Sequence, residues 1–279
     1  MKFLVRLLSV SVIYLLLAGN GAAAATPDDL GYLFSSADAK IKKGDYQGAI
    51  TDFNSAIAID PGYAPAYYNR GTAKGFAGDN QGAMEDFTRA IELQPDQPAP
   101  YNNRGMIKGA IKDNAGAVAD FTRAIELDSG NPLFFYNRGV AKIGVGDKKG
   151  AIADYTSAIA LDPATAAFFY NRGVAKGLIG NNRGAIADYT EAIALDPKRP
   201  AFFYNRGATK GRVGDNRGAI ADYTKAIELD PKTATFYYNR GTAKGTLGNK
   251  KGAIADFVIA ARLGEAKARK WLKSNGDKW

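Results

Sequence analysis

The 279-residue sequence has no cysteine and no histidine. Without cysteine there are no disulfides, zinc thiolates, thiol nucleophile or lipoprotein attachment point. Without histidine, the commonest general base and the commonest transition-metal ligand are both missing. We therefore expect no catalytic residues, no metal and no cofactor. Carboxylates are the remaining catalytic candidates, and none stands in an isolated, non-repeating constellation. Long apolar runs are also scarce. The main one, Leu7 to Ala18, is too short for the roughly 20 residues of a membrane span. Lys2 and Arg6 precede it, and small residues follow from Gly19 to Ala25, with Ala-x-Ala at Ala22/Ala24 and Ala23/Ala25. This is the three-part pattern of a cleaved secretory signal peptide. The alternative is an N-terminal anchor in the inner membrane. No twin arginine and no Asn-x-Ser/Thr sequon occurs, so a bacterial periplasm is the expected location.

The net charge is +9, and Lys2 and Arg6 supply two of those charges. Export argues against a nucleic-acid partner. Anionic envelope polymers, lipid head groups and acidic proteins are the polyanions within reach. The plain alternative is a solvated surface richer in lysine than in glutamate.

What the sequence has in abundance is repetition. Asn-Arg-Gly recurs at Asn69, Asn103, Asn137, Asn171, Asn205 and Asn239, a step of 34 residues each time. Ala49, Ala83, Ala117, Ala151, Ala185, Ala219 and Ala253 keep the same register. An aromatic follows each by four residues, as in Phe53 or Tyr189, and an alanine three later, as in Ala56 or Ala192. Proline usually closes the unit (Pro61, Pro95, Pro163, Pro197, Pro231). Each unit also has Asp or Asn at one place: Asp45, Asp79, Asp113, Asp147, Asn181, Asp215 and Asn249. Those residues are placed to cap a second helix. In the unit from Ala166, the spacing predicts a first helix, A, over Phe168–Ile179. A second helix, B, carries Ala185, Ile186, Tyr189, Ala192 and Ile193 as one apolar stripe.

This pattern resembles the tetratricopeptide repeat, a 34-residue helix–turn–helix unit. The resemblance implies an all-α fold, an α-solenoid wound as a right-handed superhelix. The expected divisions are a signal peptide over 1–25, a short linker over 26–29, seven repeats over 30–267, and a capping helix with tail over 268–279. Trp271 and Leu272 would form the greasy side of that cap. The departures from the family pattern are regular. Arg70 and its equivalents replace the usual leucine, and Lys74 and its equivalents replace the usual tyrosine. Ser129 and Glu265 replace the closing proline, and Ser35, Ser36 and Ala37 stand where the other units have Asn-Arg-Gly.

The family resemblance implies a concave face lined by A helices and a protein or peptide ligand, with no small-molecule substrate. The six asparagines resemble the asparagine ladder of the O-linked N-acetylglucosamine transferases, which holds an extended peptide backbone. A carboxamide both donates and accepts, so it suits a peptide unit. The alternative is that these asparagines bond the neighbouring repeat and fix the stacking. Beside them runs a tyrosine column, Tyr68, Tyr136, Tyr170, Tyr204 and Tyr238, broken by Asn102. It either borders the groove or packs between repeats. At ~1 kcal/mol net per hydrogen bond, less ordering costs, such a groove binds at about micromolar affinity at best. The carboxylate clamp of cytosolic cochaperones is not matched, because tyrosine takes its lysine place in most units.

Two charged patterns remain. Asp52, Asp86, Asp120, Asp154, Asp188, Asp222 and Asp256 recur on helix B and are suited to pair with the arginines. The alternative is an arginine row open to anions. Lys148, Lys149, Arg183, Arg217, Lys250 and Lys251 fall at the A–B turns. They make a basic edge suited to an anionic polymer or membrane surface, or a solvated rim.

Overall fold

The computed structural model describes residues 27–276, so the segment read as a signal peptide lies outside the described residues. Fifteen helices and no strands occur among them. They are α1 (Pro27–Lys42), α2 (Tyr46–Ile59), α3 (Ala64–Ala77), α4 (Asn80–Leu93), α5 (Pro98–Ala110), α6 (Asn114–Leu127) and α7 (Pro132–Gly144). Then follow α8 (Lys148–Leu161), α9 (Ala166–Leu178), α10 (Asn182–Leu195), α11 (Pro200–Arg212), α12 (Asn216–Leu229), α13 (Ala234–Thr246), α14 (Lys250–Arg262) and α15 (Ala266–Ser274). Odd numbers are A helices and even numbers B helices, with α15 closing the series. The chain forms two compact units, an N-terminal one up to Val145 and a C-terminal one from Gly146. In each, consecutive helices pack against one another as in an α-solenoid.

Each B helix starts at the expected cap. Asp79, Asn181 and Asp215, for example, accept from the amides of Gly82, Gly184 and Gly218. This satisfies one of the free donors of the first turn. Proline opens several A helices (Pro98, Pro132, Pro200), where its missing N–H costs nothing. Just beyond the A helices a residue takes a left-handed conformation. It is glycine at Gly44, Gly78, Gly146, Gly180, Gly214 and Gly248, but Lys112 at φ 68° in the third repeat. The stretch read as a linker is mostly helix, because α1 opens at Pro27. Proline at the first position with Asp29 behind it favours that start.

The core is built from small residues against aromatics. A Cβ on Gly173 would lie 2.9 Å from Cε1 of Tyr189, and one on Gly105 would lie 2.9 Å from Cε1 of Phe121. The glycines are therefore required by close approach of helix A to the aromatic of helix B. Beside them Ala185, Ala192, Ala219 and Ala226 are fully buried. In α15, Ala268 and Leu272 are fully buried, and the ring of Trp271 lies 4.5 Å from that of Phe257.

Candidate functional site

Within each unit the A helices form a layer: α3 touches α5, α5 touches α7, α9 touches α11, and α11 touches α13. The asparagine and tyrosine columns meet in that layer. Asn103 Nδ2 donates to Tyr68 Oη at 3.1 Å, Asn205 to Tyr170 at 3.0 Å, and Asn239 to Tyr204 at 3.0 Å. Asn137 donates instead to Asn102 Oδ1 at 3.0 Å, so the residue that breaks the tyrosine column still supplies the acceptor. Asn69 and Asn171 donate to carbonyls four residues back, at Pro65 and Ala167. Asn205 does both, since its second N–H goes to Ala201 O at 2.9 Å. A carbonyl can only accept, which fixes the orientation of this carboxamide. The Oδ1 atoms of Asn205 and Asn239 accept no hydrogen bond within the described residues, and neither is sealed off from solvent.

The tyrosines are half-buried between repeats. Tyr170 lies 4.9 Å from Phe202 and 5.9 Å from Tyr189, centroid to centroid, and Tyr204 lies 5.1 Å from Phe236 and 5.9 Å from Tyr223. Tyr136 is buried and Tyr238 packs on Phe257. Burial raises the pKa of Tyr170, a rise partly offset by the Asn205 hydrogen bond. Burial likewise raises Tyr189, and takes Tyr223 up to about 12. These phenols stay protonated at neutral pH.

The arginines of Asn-Arg-Gly are not an open row. Arg172 Nε and Nη2 donate to the two carboxylate oxygens of Asp188 at 3.0 and 2.8 Å, a bidentate pair. Arg70–Asp86, Arg104–Asp120, Arg206–Asp222 and Arg240–Asp256 repeat it. A lysine completes each set: Lys176 Nζ lies 2.8 Å from Asp188 Oδ2, and Lys74, Lys108, Lys210 and Lys244 match it. Both family departures, arginine for leucine and lysine for tyrosine, thus converge on one buried carboxylate per repeat. The remaining guanidinium nitrogen reaches the preceding repeat, as in Arg206 Nη1 to Thr190 Oγ1 at 3.1 Å. The first repeat keeps only the lysine, Lys40 on Asp52.

Two further features lie on the A layer. A small, largely apolar cleft of about 30 Å³, between the starts of α3 and α5 and the end of α4, is lined by Pro65, Tyr68, Ala90, Gln94, Ala99 and Pro100. In the C-terminal unit, Arg212 breaks the repeat. Its Nη2 donates to Oγ1 of the fully buried Thr209 at 3.0 Å, so that end of the guanidinium turns inward near Gly177 and the phenols of Tyr189 and Tyr223, and it has no carboxylate partner within the described residues.

The basic edge residues sit in the first turns of α8, α10, α12 and α14, mostly exposed, and have no carboxylate partner within the described residues. Sequence reasoning missed what stands beside them. Ile179, Val213 and Leu247, at the A-helix C-caps, are 43%, 52% and 48% exposed. The 34-residue step carried that signal, since the column continues back through Val145 and Ile111.

Comparison with known proteins identifies the repeat. A TPR-repeat family profile matches residues 37–75, 178–214 and 212–248, and a tetratricopeptide-repeat profile matches 64–97, 99–131 and 134–165. The chain belongs to the tetratricopeptide repeat family. Among solved structures it is similar to MamA, at 26% identity over 59% of this chain and 96% of that one, with a TM-score of 0.56. It is similar to YrrB, described as a TPR protein with an unusual peptide-binding site, at 21% identity over 68% and 99% of the chains and a TM-score of 0.61. It is also similar to a tetratricopeptide repeat protein from Parabacteroides merdae, at 20% identity over 88% and 98% of the chains and a TM-score of 0.64. No curated relative matches.

Proposed function

We propose that this tetratricopeptide repeat protein is a binding scaffold that holds an extended segment of a partner protein on the A layer of its units. One observation carries the reading. In Asn205 and Asn239 the carboxamide nitrogen fixes the stacking, while the oxygen is left to accept a backbone N–H from a ligand. The two roles offered for the asparagines are thus divided between the two ends of one group. The tyrosine rings and the apolar pocket beside Tyr68 supply side-chain contacts, and Arg212 supplies a place for an acidic ligand residue. YrrB, similar in fold, is described as having a peptide-binding site, which supports a peptide ligand for this chain.

Export to a periplasm is part of the proposal and rests on Lys2, Arg6, the apolar run and the Ala-x-Ala steps. N-terminal sequencing of the protein from an envelope fraction tests it, with a mature start near Thr26 as the expected result. The binding test is crosslinked capture from envelope extract. It compares the chain from Thr26 with an Asn205→Ala/Asn239→Ala variant whose helicity and melting are checked first. A defined protein held by the parent and lost by the folded variant is expected. Equal capture by both would reduce the asparagines to stacking groups.

A further inference from the structure

The A–B turns of the C-terminal unit carry two kinds of side chain on one rim. Ile179-Gly180, Val213-Gly214 and Leu247-Gly248 each place an aliphatic residue just before a left-handed glycine. Leu178, one residue before Ile179, is also half exposed. These turns are tightly bonded. Ile179 and Asn181 N–H both donate to Lys176 O, and Gly180 N–H donates to Gly177 O. The aliphatic tips are therefore carried on a backbone whose turn N–H groups are paired. In the N-terminal unit, Tyr46 stacks on Phe76 at 5.3 Å between centroids. At the places of that pair the C-terminal unit has Lys148 with Leu178, Asn182 with Arg212 and Asn216 with Thr246, so no aromatic pair covers the turn there and Leu178 is half exposed.

The charge around these tips is mostly positive. Lys149, Arg183, Arg217, Lys250 and Lys251 flank them, and the acids of the same turns, Asp147 and Asp215, are engaged as caps on Gly150 and Gly218. The corresponding helix openings of the N-terminal unit hold Gln47, Gln81 and Ala115 where the arginines and lysines stand. Cations alone suit any polyanion. Cations alternating with exposed aliphatic tips suit a surface that is anionic outside and apolar just beneath.

We propose that this rim docks peripherally on a lipid bilayer bearing anionic head groups. The basic residues pair with head groups, and Ile179, Val213 and Leu247 enter the boundary below them. This site is separate from the A-layer face and does not depend on it.

The test is co-sedimentation of the chain from Thr26, which retains every described helix, with two kinds of vesicle. One is phosphatidylcholine alone and the other includes roughly one third phosphatidylglycerol. Binding to the anionic vesicles only is expected. A variant with Ile179→Ser, Val213→Ser and Leu247→Ser keeps every charge and should lose about tenfold or more in partitioning at any salt concentration. A variant with Arg217→Gln, Lys250→Gln and Lys251→Gln keeps every aliphatic and should lose a comparable factor at low salt, and less as salt rises. All the substitutions are at exposed positions, and circular dichroism confirms folding of each variant. No sedimentation with anionic vesicles overturns the proposal. So does undiminished binding by the serine variant, which would leave a purely electrostatic polyanion site.

Discussion

Removing one buried carboxylate is the most direct test of what holds the repeats together. Asp188 is 3% exposed and receives three charged donors, two from Arg172 and one from Lys176. Asp188→Ala leaves two cations of α9, one turn apart, without their carboxylate on α10, with side chains only 16% and 19% exposed. Breaking a buried ion pair by deleting one partner costs ~3–5 kcal/mol, mostly as an uncompensated buried charge. For a chain of this size that lowers the thermal midpoint by about 6–20 °C. The decisive companion is a triple variant, Arg172→Leu, Lys176→Tyr and Asp188→Ala, which restores the family's usual leucine and tyrosine and removes all three charges together. It should recover most of the loss, because apolar replacement of a whole buried ionic cluster is often neutral or stabilising. Melting followed by circular dichroism reads both. An unchanged midpoint for Asp188→Ala, or a triple variant as unstable as the single one, would refute the reasoning.

Three other outcomes are expected. Gly173→Ala forces a methyl to within 2.9 Å of Tyr189 and should cost about 1–3 kcal/mol in chemical denaturation. Lys112→Gly relieves the one non-glycine left-handed residue among those described. It should gain up to about 1 kcal/mol after the extra unfolded-state freedom of glycine is subtracted. Alkali should destabilise the fold. Burial raises the phenols of Tyr189 and Tyr170 and takes Tyr223 to about 12, whereas unfolded phenols ionise near pH 10. The folded state therefore holds more protons above that pH, so stability is level below about pH 10 and falls as pH rises towards 12. Tyr223→Phe should flatten part of that fall in a pH series of melts.

Much of this was legible beforehand because it is local geometry repeated seven times. The caps at Asn181 and its equivalents, the alanine columns and the Gly173–Tyr189 contact each follow from side-chain size or an acceptor at a fixed helix position. The Arg172–Asp188 pairing was legible too, since opposite charges recur sixteen residues apart. Lys176 as the third member does not follow from the sequence in the same way, because its position stands out only as a departure from the family's tyrosine. For the asparagines, spacing placed a column but could not say which end of the carboxamide faced a neighbour. That depends on where Tyr170 Oη and Ala201 O lie around Asn205. The exposed row of Ile179, Val213 and Leu247 was periodic in plain view. Periodicity alone does not distinguish a buried aliphatic from a bare one.

The bond from each arginine to the threonine before it bears on how such a chain changes length. Arg206 meets its own aspartate within the repeat and Thr190 in the previous one. Deleting residues 166–199 would bring Arg206 to Thr156, the residue that Arg172 now uses. No cation is orphaned and no acceptor is stranded, whereas loss of a stretch that shifts the register within a helix would strand both. The polar network thus acts as a length gauge. It tolerates gain or loss of whole 34-residue units and penalises any fraction of one, so variation in array length among relatives should come in whole units.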